Sequence, residues 1–207
     1  MEYLRDPREI TRRSFDIVRR ETDLSALPEG LADVAVRLVH ACGMPDIVND
    51  LAWGGDPAGA GRRALAAGVP IVADCRMVSE GIIRSRLAAE NDVVVPLDDP
   101  AALPLASKLG TTRSAAGIEL WRDLLGGTLV VIGNAPTALF RLLEVLAEAA
   151  PRPAAVLAFP VGFVGAAESK DALIAANLDV PYLTLRGRRG GSAMAAAAVN
   201  ALASSKP

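Results

Sequence analysis

Residues 128–149 read TLVVIGNAPTALFRLLEVLAEA. Thr128–Ile132 is a short, continuous apolar run rich in β-branched residues. Gly133-Asn134-Ala135 then breaks it, and Pro136 opens a pattern whose apolar positions recur every three or four residues to Ala149. An apolar run of this length bounded by turn residues is a buried strand, and proline is at home in the first turn of a helix. Strand, tight turn and helix make one half of a βαβ unit. A strand apolar at every position has to be covered on both faces, as in a parallel sheet. The unit recurs along the chain. Val69–Ala73, Val93–Val95, Ala154–Phe159 and Pro181–Leu185 predict further strands. Pro100–Leu109, Thr112–Leu125, Ala166–Ala176 and Ser192–Ala203 predict helices among them. Ahead of the first strand lie three helices. One is capped by Asp6, with Pro7 in its first turn and Glu9 at the capping-box position, and runs to Glu21. The second runs from Pro28 to Cys42 and the third from Asp56-Pro57 to Gly68. The expected fold is α/β: a doubly wound, mainly parallel five-stranded sheet flanked by helices, with an N-terminal helical segment. PRPAA at 151–155 is too short to be a linker, so residues 1–207 are expected to form one domain.

Composition narrows the function classes. Half the residues are hydrophobic (51%) but only 4% are aromatic, which suits closely packed helices on a sheet. Twenty-two Lys and Arg against 24 Asp and Glu leave a net charge of −2, so nothing draws the whole chain to nucleic acid or an anionic membrane. No apolar run reaches the ~18 residues of a membrane helix. The N-terminus, MEYLRDPREITRRSF, lacks the apolar core of a signal peptide. Cys42 and Cys75 have neither CxxC spacing nor metal-ligand partners, which points to a reduced, cytoplasmic compartment and no metal site.

In doubly wound sheets ligands bind beyond the carboxyl ends of the strands. The exits here are Asp74-Cys75-Arg76, Gly133–Thr137, PVGFVGAAESK (160–170) and RGRRGGSAM (186–194). Gly, Asn and Ser suit ordinary turns. They also suit close approach of backbone to an anion at a helix N-terminus, with Arg113, Lys170, Arg186, Arg188 and Arg189 adding full charges. Glu168 is equally suited to pairing with Lys170 and to acting as a base. GxGxxG, GxxxxGK[ST] and GxSxG are all missing from the strand exits, and GGDPAGAG (54–61) follows no strand, which speaks against dinucleotide, P-loop and serine-hydrolase sites.

The chain has one histidine, His40, in RLVHACGMPD (37–46). It falls in the last turn of its helix, with Gly43 as a left-handed cap. Arg37 and Asp33, three and seven residues earlier, share its face. An imidazole changes charge near neutral pH, and the helix C-terminus favours its cation. The arrangement suits an acid–base residue; it also suits a solvated polar stripe.

Six strings together resemble the precorrin-8X methylmutase family of cobalamin biosynthesis. They are RRSFDIVRR (12–20), RLVHACGMPD (37–46), TRSAAGIELW (112–121), IGNAPTALF (132–140), PVGFVGAAESK (160–170) and RGRRGGSAMAAAAVNAL (186–202), spread over nearly the whole chain; the resemblance is weakest over 45–60. The resemblance implies a homodimeric α/β enzyme with no metal and no bound cofactor. Such an enzyme moves a methyl group from carbon 11 to carbon 12 of a corrin precursor, giving hydrogenobyrinate. By resemblance, His40 is the catalytic histidine, and Ser14, Arg37, Thr112 and Arg113 are substrate contacts. Gly133, Asn134, Lys170 and Arg186 are further candidates from the strand exits. The expected partners are a tetrapyrrole substrate and a second copy of the chain, with no nucleic acid and no membrane. The same loops would also serve a non-catalytic corrinoid carrier, which would tolerate loss of His40. A phosphorylated-metabolite site at the Gly133 and Gly190 turns is a further alternative.

Overall fold

The computed structural model describes residues 1–203. Helices α1 (Pro7–Glu21) and α2 (Glu29–Cys42) lead into an edge strand β1 (Leu51–Gly54) and helix α3 (Pro57–Ala66). Then come β2 (Ile71–Ala73), α4 (Arg76–Gly81), β3 (Val93–Val94), α5 (Ala102–Leu109), α6 (Arg113–Leu120), β4 (Leu129–Ile132) and α7 (Pro136–Ala147). The chain closes with β5 (Ala155–Ala158), α8 (Ala166–Ala175), β6 (Tyr182–Leu185) and α9 (Ser192–Ala203). The sheet order is β1-β6-β5-β4-β2-β3. Five strands run parallel, and β1 pairs antiparallel with β6, Leu51 opposite Leu185 and Gly54 opposite Tyr182. The expected class is the one observed, with one strand more than the five predicted. The extra strand, LAWG, is four residues long, sits between Asp50 and a Gly-Gly-Asp-Pro turn, and gains its identity only from pairing with β6.

The β-branched runs do what their pattern requires. Leu129, Val131, Ala155, Leu157, Leu183 and Leu185 point to one side, where α2, α3 and α9 cover them. Val72, Val130, Ile132, Val156 and Ala158 point to the other, under α6, α7 and α8. Small residues let α9 lie close to its neighbours: a Cβ added at Gly81 of α4 would stand 2.7 Å from that of Ala196. The predicted helix from Thr112 to Leu125 is shorter than expected. It gives way to a 3-10 turn at Arg122–Leu124, and Thr112 caps it by accepting from the Ala115 N–H at 3.2 Å. The direction of winding reverses between β2 and β4, and it is there that an α/β sheet opens a crevice at its carboxyl edge.

Candidate active site

His40 sits in the last turn of α2, whose end is closed by Gly43 at φ 69° with its N–H on the Val39 carbonyl. Its imidazole faces α1. Ser14 Oγ lies 2.8 Å from His40 Nδ1. A hydroxyl can donate or accept, so this bond survives whichever ring nitrogen carries the proton. The neighbouring Phe15 meets the imidazole edge-on, with centroids 5.1 Å apart and planes at 83°. The guanidinium carbon of Arg37 stands 5.1 Å from the centre of the same phenyl ring. One buried aromatic therefore sets the position of both the imidazole and the guanidinium. Asp33, the third residue of that helical face, is taken up by Arg19 of α1 at 3.0 Å.

Three clefts border α1. One of about 400 Å³ is lined by Arg37 and His40, by Gly81, Ile83 and Arg86 from α4 and the turn after it, and by α9 alanines. A second, of about 430 Å³, runs along Leu4, Ile10, Ile17, Val39 and again His40. A third, of about 530 Å³, carries Arg8, Arg12, Arg19 and Arg86. His40 thus borders two of the three. Burial, and then the charge of Arg86, hold the Arg37 guanidinium below the usual arginine range, against the pull of Asp33. An anion in the cleft would relieve that repulsion.

The remaining candidates fall elsewhere. Thr112 and Arg113 open α6 on the opposite face of the sheet, where Thr112 Oγ1 lies 2.7 Å from Thr137 Oγ1 and Arg113 donates to the Leu97 carbonyl at 2.9 Å. Gly133 and Asn134 do not offer their backbone N–H groups to a ligand. Asp74, at the exit of β2, accepts from the N–H groups of Gly133, Asn134 and Ala135 at 2.9, 2.9 and 2.8 Å. Burial pushes the Asp74 carboxyl above the usual range, and those three donors pull it back.

Lys170 is fully buried, and its ammonium donates to the Arg189 carbonyl at 2.6 Å. It anchors the 186–191 loop from beneath instead of reaching a ligand, and so it does not pair with Glu168, which is exposed in the first turn of α8. Desolvation lowers Lys170 to about 8, with Asp171 and Asp50 opposing the shift. Arg189, expected as a ligand clamp, instead ties the loop to Asp46 and Asp50 at 2.6 and 2.5 Å. Arg186 is exposed, and its backbone N–H donates to the Asp50 carbonyl.

Three contributors were not legible as such. Phe15 lies inside a quoted motif, but only its contacts distinguish it from a core residue. Arg86 belongs to no motif. Asn200 is the one strongly polar side chain in the run AMAAAAVNALA, a clue that was available. Among the described residues no three His, Cys, Asp or Glu side chains are placed to hold a metal ion, and no helix is long and apolar enough to cross a membrane.

Fold and site together define a doubly wound α/β protein in which one imidazole and two guanidinium groups line a single cleft. Comparison with known proteins makes the class specific. The family model described as "CbiC: Precorrin-8X methylmutase" matches residues 9–205, and the chain belongs to that family. A relative named precorrin-8X methylmutase from Pseudomonas aeruginosa is 56% identical over 206 residues, covering 100% of this chain and 99% of the relative. One named cobalt-precorrin-8 methylmutase from Priestia megaterium is 32% identical over 95% of this chain and 87% of its own. The crystal structure of a precorrin-8x methyl mutase from Thermus thermophilus superimposes with a TM-score of 0.86 at 36% identity, covering 95% of this chain and 94% of that one.

Proposed function

We propose that this protein is the isomerase that moves a methyl group from carbon 11 to carbon 12 of precorrin-8X, giving hydrogenobyrinate in cobalamin biosynthesis. The observation that carries the proposal is the cleft holding His40 and Arg37 against a floor of Ala193, Ala196 and Ala197. It joins an imidazole, fixed positive charge and small apolar side chains in one place. A corrin precursor is a flat macrocycle edged with carboxylates. Its methyl shift needs the ring held in one orientation and a proton supplied where electron density moves; it needs no nucleophile and no cofactor. His40 fills the proton role, with Ser14 and Phe15 fixing its ring, and Arg37 takes a substrate carboxylate.

Arg113 and Thr112 lie across the sheet from His40, so one chain does not bring the full set of family contacts together. A homodimer in which the partner supplies Thr112 and Arg113, with the exposed Arg186 at the rim, accounts for both facts. Phe163 and Val164, 87% and 88% exposed on the loop after β5, are apolar surface such an interface would cover. Residues 1–207 then act as one methylmutase domain in the cytoplasm, without nucleic-acid or membrane partners.

The test is a spectrophotometric assay with precorrin-8X and its cobalt-containing form side by side. Wild-type protein is expected to convert at least one. His40→Ala should lose about 10²–10⁴-fold in rate while still binding hydrogenobyrinate. Mixing inactive His40→Ala and Arg113→Ala chains should restore about a quarter of wild-type turnover, because half the dimers would carry one intact site. Full activity from a species of 21.5 kDa in light scattering would rule out the shared site.

A further inference from the structure

The cleft beside His40 contains Arg37 and Arg86 but no aspartate or glutamate in its lining. The neighbouring carboxylates are already matched: Asp16 lies 3.4 Å from Arg12, and Asp33 lies 3.0 Å from Arg19. Arg86 makes no ion pair among the described residues, and its charge bears on Arg37. It also borders the adjoining cleft along α1, so it stands where the two meet.

The turn that carries it is held rigidly. Asn200, buried on α9, accepts from the Ile83 N–H at 2.8 Å and donates to the Gly81 carbonyl at 2.9 Å. Arg84 donates to Ser79 Oγ at 3.0 Å, and the side chain of Ile82 is in the core. An amide gripping the backbone on both sides of Ile82 fixes where the next turn, Arg84–Arg86, emerges. A long cationic side chain is thereby presented from a fixed base, beside a second cation, over a cleft with no counter-charge. Two guanidinium groups so placed repel each other unless an anion lies between them.

We infer that Arg86 binds a carboxylate arm of the substrate and, with Arg37, forms a two-armed clamp that sets the orientation of the macrocycle over His40. The inference rests on the corrin reading above, because a ring with carboxylates around its rim can give each arm its own. Arg37 approaches from α2 and Arg86 from the α4 side, so the two arms fix a direction across the cleft as well as supplying charge. One charged contact alone would leave the ring free to turn about it.

The experiment titrates hydrogenobyrinate and its methyl ester, which keeps the ring but loses the charges, against wild type, Arg86→Gln and Arg86→Lys. Wild type is expected to prefer the acid. Arg86→Gln should weaken acid binding about tenfold and leave ester binding within about twofold, because a charge-assisted contact is lost and nothing else. Arg86→Lys, which keeps the charge but not the fork, should recover part of the loss. If wild type discriminates acid from ester and Arg86→Gln discriminates equally well, the clamp is wrong while the corrin site stands. If wild type binds neither form, the corrin reading falls and the clamp with it.

Discussion

Replacing Ser14 with alanine separates two roles for His40. The hydroxyl lies 2.8 Å from Nδ1, within range of a full hydrogen bond, and no other hydrogen bond to the imidazole is formed among the described residues. If His40 works only as neutral imidazole, the lost bond is an ordinary one of about 0.5–1.5 kcal/mol, or roughly 2–12-fold in kcat/KM. If His40 becomes imidazolium on the reaction path, the lost bond is charge-assisted, about 1.5–3 kcal/mol and roughly 10–150-fold. The second range is expected under the proposed mechanism, in which His40 hands a proton to the ring system and takes it back. Phe15 still holds the imidazole edge-on in the variant, so the ring is not lost from the cleft.

Steady-state rates of hydrogenobyrinate appearance, measured by absorbance, give the number. The double variant gives the logic. With His40 already alanine, removing the Ser14 hydroxyl should change the residual rate less than twofold, since Ser14 acts through the imidazole. Ser14→Thr, which keeps a hydroxyl, should retain most activity. Multiplicative losses in the double variant, or wild-type kinetics in Ser14→Ala, would refute the assignment of Ser14 as the residue that orients His40.

Three further outcomes are expected. Asp74→Ala leaves the N–H groups of Gly133, Asn134 and Ala135 buried or half-buried without their acceptor and should cost about 2–4 kcal/mol in urea unfolding; a midpoint within experimental error of wild type would refute it. Lys170 titrates at about 8 when folded against an ordinary 10.5, so between those values the unfolded chain holds a proton that the folded chain does not. Rising pH therefore favours the fold, and the urea midpoint of wild type should gain on that of Lys170→Met between about pH 8 and 10. Gly81→Ala brings a methyl against Ala196 and should lower stability by about 1–3 kcal/mol in thermal unfolding, with weaker corrin binding as the Arg84–Arg86 turn shifts.

The fold was legible because its parallel strands are apolar on both faces and its helices carry their own boundary residues. Thr128–Ile132 followed by Pro136 is unambiguous, and Asp6-Pro7 and Gly43 mark helix ends that the structure keeps. LAWG was not legible, because a four-residue edge strand has no periodicity to read and depends on a partner far along the chain, Leu51 pairing with Leu185. Ser14, Arg37 and His40 were picked out by resemblance, and the structure brings them together around Phe15. Lys170 and Arg189 misled for a physical reason. A charged residue at a strand exit looks like a ligand contact, yet here both charges are spent on holding the exit loop to the rest of the protein. Sequence position fixes the edge of the sheet on which a side chain lies; it does not fix whether the side chain faces outward.

The same distinction explains where the cleft is. The carboxyl edge at the winding reversal, between β2 and β4, offers three backbone donors at the start of α7, the usual place for an anionic ligand in such a sheet. This chain fills that place with its own carboxylate, Asp74, and packs Ser192 Oγ 3.4 Å from the buried Cys75 thiol beside it. Closing the crevice this way fixes the β4–α7 turn and occupies its three donors. The cleft that Arg37 and His40 share lies instead on the flank where α1 leans on α2, beside alanines of α9. A crevice between two strand exits suits a phosphate or a nucleotide edge; a broad cleft beside a helix suits a flat ring whose charges lie at its rim. Arg37 on α2 and Arg86 on the turn after α4 line that cleft together with the imidazole at the end of α2, the arrangement a ring of that kind would need.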